Sequence, residues 1–305
     1  IELINTTDPG FELNSSGKIF WLRSAERPLL AVLVSGSDNL RPRLKVVSSD
    51  LLEVPVQNKI EERLYAWLNN YIRLHLMPLI KARDRNLTGA ARGLVFQLVE
   101  NGGVLDKRPA IGQLKALRKE DYSILRHLGV KIGRYEIFFP KLLGPRSAGL
   151  SALLWAIKNK INPIPELPPS GRVSIIYDGL VPLDFMLVGG FKRAGDLLVR
   201  IDILERVAGK LKLLNMSGPF EIGPLILNLL GCSAKQAVSI VCSLGYIQKK
   251  FETASQEIIV PLFIKAKYDH PNLKKRQKSR VFNSKNRNRL HADLLIDESP
   301  FAKLK

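Results

Sequence analysis

The chain has 305 residues, 46% of them hydrophobic, which is enough apolar material for two or three compact units. Lys and Arg number 47 against 28 Asp and Glu, a formal net charge of +19 that repels itself in a compact fold and favours a polyanionic partner. The two cysteines, Cys232 and Cys242, exclude a disulfide scaffold or a four-cysteine zinc site, and no apolar run reaches the roughly 18–20 residues needed to cross a bilayer.

The N-terminus lacks the charged-then-apolar pattern of a signal peptide, so a reducing, cytoplasmic setting without a membrane partner is expected. The first residue is Ile1 rather than Met, and the chain is expected to be a piece of a longer polypeptide. Residues 11–13, 18–22, 29–34 and 44–47 read as short strands separated by turn chemistry such as Asn14-Ser15-Ser16-Gly17 and Gly36-Ser37-Asp38, a small meander. From residue 56 to 82, Val56, Ile60, Leu64, Trp67, Leu68, Tyr71 and Ile72 recur at helical spacing, and Pro78 should kink or end that helix. Thr88 can cap a second helix that Gly102-Gly103 closes. A helical region over 111–127, a strand over 129–139 and a helix over 147–160 follow.

Pro163, Pro165, Pro168 and Pro169 make residues 162–171 an extended linker and a domain boundary. Beyond it, 173–177 is strand-like and 199–214 an amphipathic helix with Ile201, Leu204 and Leu211 inward. Residues 224–230 form a short apolar helix, Gly231-Cys232 a turn, and Ser233 an N-cap for a helix through Ala237, Ile240 and Val241, with Cys242 on its buried face. Gly245 ends that helix, and strand-like runs at 246–251 and 257–264 complete the order helix, turn, helix, hairpin of a winged-helix-like module.

In such a module the second helix enters a groove and the hairpin touches phosphates, which makes Lys235, Gln236, Lys249 and Lys250 candidate contacts; packing against a neighbour is the competing reading. The tail is the stronger electrostatic signal. Lys265, Lys267, Lys274, Lys275, Arg276, Lys278, Arg280, Lys285, Arg287 and Arg289 face only Asp269, and a tail so poor in apolar residues is expected to be disordered. A second basic patch, Arg41-Pro42-Arg43 with Lys45, lies on the meander, where a rim of solvated surface charge is an equal alternative. Trp21, Trp67 and Trp155 sit in apolar patterns and are expected in the core.

His75, His127, His270 and His291 lack partners at ligand spacing, so no metal site is expected. Gly17-Lys18 and Gly209-Lys210 have neither the preceding glycine nor the following hydroxyl of a phosphate-binding loop, and no catalytic residue is assigned.

Several segments together resemble alphaproteobacterial superfamily 2 helicases related to the mitochondrial degradosome RNA helicase. They are Gly17-Lys18-Ile19-Phe20-Trp21, Leu40-Arg41-Pro42-Arg43-Leu44, and residues 87–100 beginning Leu87-Thr88-Gly89-Ala90-Ala91-Arg92-Gly93. Residues 125–133, Leu153-Leu154-Trp155-Ala156, residues 199–206, Leu230-Gly231-Cys232-Ser233, Leu244-Gly245-Tyr246 and residues 296–302 continue the likeness in order along nearly the whole chain. Ser174-Ile175-Ile176 stands where that family has Ser-x-Pro. The resemblance implies two motor domains upstream, so ATP and Mg²⁺ belong to that missing part and no cofactor to this chain.

The expected fold is α+β and predominantly helical. It comprises a β-rich unit (1–48), a helical domain (49–161), the proline linker (162–171), a helix-rich unit (172–264) ending in the winged-helix-like module (220–264), and a disordered basic tail (265–305). The expected function is a non-motor accessory region that grips nucleic acid, RNA in preference to DNA, beside the motor domains of the same polypeptide. A stand-alone nucleic-acid-binding protein and a protein-interaction scaffold are the alternatives.

Overall fold

The structure, a computed structural model, describes residues 2–47, 53–250 and 261–265. Its first strands, β1 (Phe11–Leu13), β2 (Lys18–Trp21), β3 (Leu29–Val34) and β4 (Arg43–Val46), form an antiparallel sheet in the order β1-β2-β3-β4, the expected meander. Alternation along the strands sends Ile19, Ala31, Leu33 and Leu44 into the core and leaves Lys18, Arg43 and Lys45 outside.

Helix α1 (Val54–Asp84) closes the inner face of this sheet with Leu64, Trp67, Leu68, Ile72, Leu76 and Leu79, one stripe at helical spacing. Pro78 does not end it. Leu76 instead leaves helical geometry (φ −117°, ψ 24°), because the proline lacks an N–H and its ring crowds the carbonyl four residues back. Helix α2 (Gly89–Glu100) starts at Thr88, whose backbone takes the cap position while its side chain makes no cap hydrogen bond.

The helical region expected over 111–127 is two helices, α3 (Ile111–Ala116) and α4 (Lys119–His127), parted at Leu117-Arg118, where Asp121 accepts from the Arg118 amide at 2.9 Å. The strand expected over 129–139 is likewise a pair. Strand β5 (Val104–Asp106), β6 (Lys131–Ile132) and β7 (Glu136–Phe138) make a sheet in the order β5-β7-β6. Helix α5 (Pro145–Lys158) packs on α1.

Past the proline-rich stretch, the chain forms β8 (Ser174–Ile176), α6 (Leu183–Val188), β9 (Phe191–Ala194) and β10 (Leu197–Arg200), a sheet in the order β8-β10-β9. The helix expected from 199 therefore begins two residues later, as α7 (Ile201–Met216), because Val199 and Arg200 pair with Lys192 and Phe191 on β9. Helices α8 (Pro224–Leu230) and α9 (Ala234–Ser243) and the hairpin of β11 (Tyr246–Lys250) and β12 (Pro261–Lys265) follow; of the strands expected over 246–251 and 257–264, residues 251 and 257–260 lie outside the described residues.

Residues 162–171 are irregular and extended, yet the chain on both sides of them belongs to one compact unit, Ile1–Ala266. Leu167 lies so close over Gly189 that a Cβ there would collide with it. Val104 and Phe138 from before the prolines bury against Ile201 from after them, and Ala152 and Ala156 against Phe185 and Val188.

Candidate nucleic-acid interface

Helix α8 is short and apolar but for Asn228, and Gly231 stops it in a left-handed conformation (φ 59°, ψ 37°), its amide donating to the Leu227 carbonyl. The chain bends by 85° into α9. Ser233 starts α9 with a capping box: its Oγ accepts from the Gln236 amide at 3.3 Å, and Gln236 Oε1 accepts from the Ser233 amide at 3.0 Å. Ala237, Ile240, Val241 and Leu244 face a core they share with Leu204, Val207 and Leu211 of α7 and Phe263 of β12. Between α7 and α8, Phe220 pairs with Phe263 through reciprocal backbone hydrogen bonds of 3.0 and 2.7 Å, so the hairpin gains a third, one-residue rung.

Lys235 is exposed on the first turn of α9. Gln236 is half-buried and its side-chain oxygen is held in the capping box, so it serves the helix start before any ligand. Lys249 and Lys250 lie on β11 opposite Leu262 and Pro261. Lys274, Lys275, Arg276, Lys278, Arg280, Lys285, Arg287 and Arg289 lie outside the described residues, as does the expected disordered tail except Lys265, which ends β12.

Cys242 is exposed rather than on the buried face, because the inward stripe runs through Ala237, Ile240, Val241 and Leu244. Cys232 is half-buried in the turn, and burial pushes its thiol up, away from nucleophilic reactivity.

Two neighbours of α9 had no signal in the sequence around it. The β9–β10 hairpin turns at Gly195-Asp196, with Gly195 at φ +63°, and docks on the helix: Ser239 Oγ donates to Asp196 Oδ2 at 3.1 Å, and a Cβ on Gly195 would strike Ser239. From the β6–β7 loop, the Tyr135 hydroxyl donates to the Leu244 carbonyl at 2.9 Å, and burial pushes its pKa up to about 12. Burial also raises the Tyr246 hydroxyl at the root of the hairpin, while the nearby Arg134 guanidinium pulls it the other way. Arg134 is thus a cation beside the hairpin that chain spacing could not have revealed.

The outer side of α9 exposes Ala234, Lys235, Cys242 and Ser243, a small and weakly polar surface with one cation. Among the described residues, no three His, Cys, Asp or Glu side chains come together as a metal cage, and no single helix is long and apolar enough to cross a membrane. A cleft of about 470 Å³ opens between α5 and the proline stretch, lined by Tyr71, Arg146, Leu153, Ile164, Glu166 and Phe185 among others. Comparison with known protein families, curated proteins and solved structures finds no match for this chain.

Proposed function

We propose that the chain is the non-motor accessory region of an ATP-dependent helicase and grips nucleic acid, RNA in preference to DNA, through phosphate contacts. The observation that carries this is the order of parts around α9 in a chain of net charge +19: α7, the Phe220 rung, α8, a sharp turn, the capped α9, then the β11–β12 hairpin. That is the order of a winged helix, with α9 as the helix offered to a groove and the hairpin as the wing.

Lys235, Lys249 and Lys250 are the contacts assigned to this module, with Gln236 positioning the start of α9. The cations from Lys274 to Arg289 add further phosphate contacts. Because α9 presents Ala234, Cys242 and Ser243 beside Lys235, little on it can read base edges, and the binding is sequence-independent. ATP and Mg²⁺ belong to motor domains outside this sequence, and no residue here is assigned to either.

The test is a titration of labelled RNA and DNA of equal length with the chain at about 50 and 200 mM salt. Tight binding that weakens steeply with salt, RNA ahead of DNA, is expected. Failure to bind either at the lower salt overturns the proposal.

A protein-docking platform is the second reading, favoured by the exposed apolar Leu213 and Met216 on α7 and Leu225 on α8. Under it, removing residues 266–305 leaves partner binding intact. Under the first reading that truncation sharply lowers nucleic-acid affinity.

A further inference from the structure

We infer that the outer face of the N-terminal sheet is a second nucleic-acid contact surface, on which Lys18, Arg43 and Lys45 hold the phosphates of a single strand. This rests on the proposed nucleic-acid binding, but on residues remote in sequence from α9, the hairpin and the tail.

The strand register assembles the surface. Lys18 on β2 lies opposite Val32 on β3, and Val32 lies opposite Lys45 on β4, so one row across the sheet reads Lys-Val-Lys; the next row pairs Val34 with Arg43. Residues directly opposite share a face, as do residues two apart along a strand, so the three cations stand on the same side with Val32 and Val34 between them. All three are exposed, while Ile19, Ala31, Leu33 and Leu44 on the reverse side are buried. Lys18 and Lys45 are separated by two strand spacings, about 9.6 Å, and Lys45 and Arg43 by two residues, about 6.8 Å, distances over which one flexible phosphate chain can meet all three.

Arg43 is further oriented by its Nε, which donates to the Ser35 carbonyl at 3.1 Å and leaves the terminal guanidinium nitrogens for a ligand. Among the described residues, neither Lys18 nor Lys45 pairs with a carboxylate. The acid on this face, Glu12, lies on β1 at the far edge, opposite Phe20. Arg41 is drawn 3.8 Å from Asp38, which Arg83 also approaches.

Cations on an edge strand such as β4 also serve to prevent edge-to-edge pairing. That explanation does not reach Lys18, which is on an inner strand. The β4 edge is moreover partly closed already, since the Leu44 amide donates to the Tyr65 hydroxyl of α1 at 3.0 Å. A four-stranded sheet that exposes cations around a half-buried aromatic, here Phe20, suits an unpaired strand better than a duplex, whose bases are not free to lie on it.

The experiment titrates the full chain into a fluorescein-labelled oligouridylate of about 20 nucleotides at several salt concentrations and follows anisotropy. The variant K18E/R43E/K45E should bind about tenfold or more weakly at low salt, and the slope of log K against log salt should become shallower by about 2, three single-strand contacts' worth. K18Q/R43Q/K45Q should shift both in the same direction by less, and both variants should keep the parent far-ultraviolet dichroism. Parent-like affinity and slope in both variants overturn the inference, even where charge reversal at Lys274, Lys275 and Arg276 abolishes binding and so upholds the tail. A variant that keeps oligouridylate binding but loses polyglutamate binding overturns it in favour of an acidic protein. If the parent chain itself ignores oligouridylate, this inference and the broader proposal fall together.

Discussion

Glu136 is fully buried on β7, and Lys192 of β9 reaches it at 2.6 Å while also holding Asp106 of β5 at 2.9 Å. Arg108 pairs with the same Asp106 oxygen, Oδ2, at 2.7 Å, and Glu205 of α7 accepts the backbone amides of Arg134, Tyr135 and Glu136 at 2.7–3.2 Å. Burial is the largest influence on Glu136 and pushes its pKa up to about 6, against the pull of Lys192 and with the push of Glu205 and Asp106. The folded protein therefore holds this proton more tightly than the unfolded chain does, so its contribution is fully present below the ordinary glutamate value and is lost as pH rises through about 6. We predict that Glu136→Gln stabilises the protein relative to the parent as pH goes from about 4.5 to 7, by about 2 kcal/mol over that window. Urea unfolding of both proteins at each pH checks it, and a parent–variant difference independent of pH sinks it. Asp106 runs the other way: its cationic and backbone partners hold it well below the usual range despite burial, so its stabilisation disappears only at lower pH. None of this cluster was legible in the sequence, because residues 106, 136, 192 and 205 are each ordinary alone and only the fold makes them neighbours.

The start of α9 is the clearest case of an element written locally. Ser233 and Gln236 stand at the spacing of a capping box ahead of an apolar stripe, and the structure makes both hydrogen bonds. Ser233→Ala should cost about 1 kcal/mol of stability and increase amide exchange in the first turn of α9, with little change beyond Leu244. Unchanged exchange at Lys235 and Gln236 would argue against the cap. The meander, α8 and the β11–β12 hairpin were legible for the same reason, since period, turn residues and caps all lie within a few residues of one another. The β9–β10 hairpin was not: Val199 and Arg200 fit the helical stripe of Ile201, Leu204 and Leu211 as well as they fit a strand, and pairing with Phe191 and Lys192 decides between them. The turn at Gly195-Asp196 was the available sign, a glycine in the two-residue loop of a hairpin. Cys242 adjoins Val241 and reads as inward from spacing alone, yet the buried stripe passes from Val241 to Leu244 and leaves it exposed.

Four prolines in residues 162–171 signal an extended segment, and extended it is, but proline content says nothing about whether the flanking surfaces are covered. Here they are, by Val104 and Phe138 against Ile201, Phe185 and Val188 against Ala152 and Ala156, and the carboxylate cradle of Glu205. Exposing the five larger apolar side chains at about 1.5–3 kcal/mol each would cost as much as the about 5–15 kcal/mol that holds a typical domain folded. Residues 1–161 and 172–305, produced separately, should therefore each melt without a cooperative transition, whereas the intact chain gives a cooperative one through Ala266. Calorimetry on the two halves and on the intact chain decides the point; two halves that each unfold cooperatively at the parent temperature would mean that the buried contacts across the prolines contribute little. The consequence for binding is mechanical. With α9 and the outer sheet face built into one unit, a strand bound at both loses orientational freedom once rather than twice, so charge reversal at either place should weaken the hold on the whole strand. Lys235→Glu and Lys18→Glu, alone and together and read as oligouridylate affinity, should each weaken binding with roughly additive losses, and a double variant no weaker than the weaker single one would place the two surfaces on different nucleic-acid molecules.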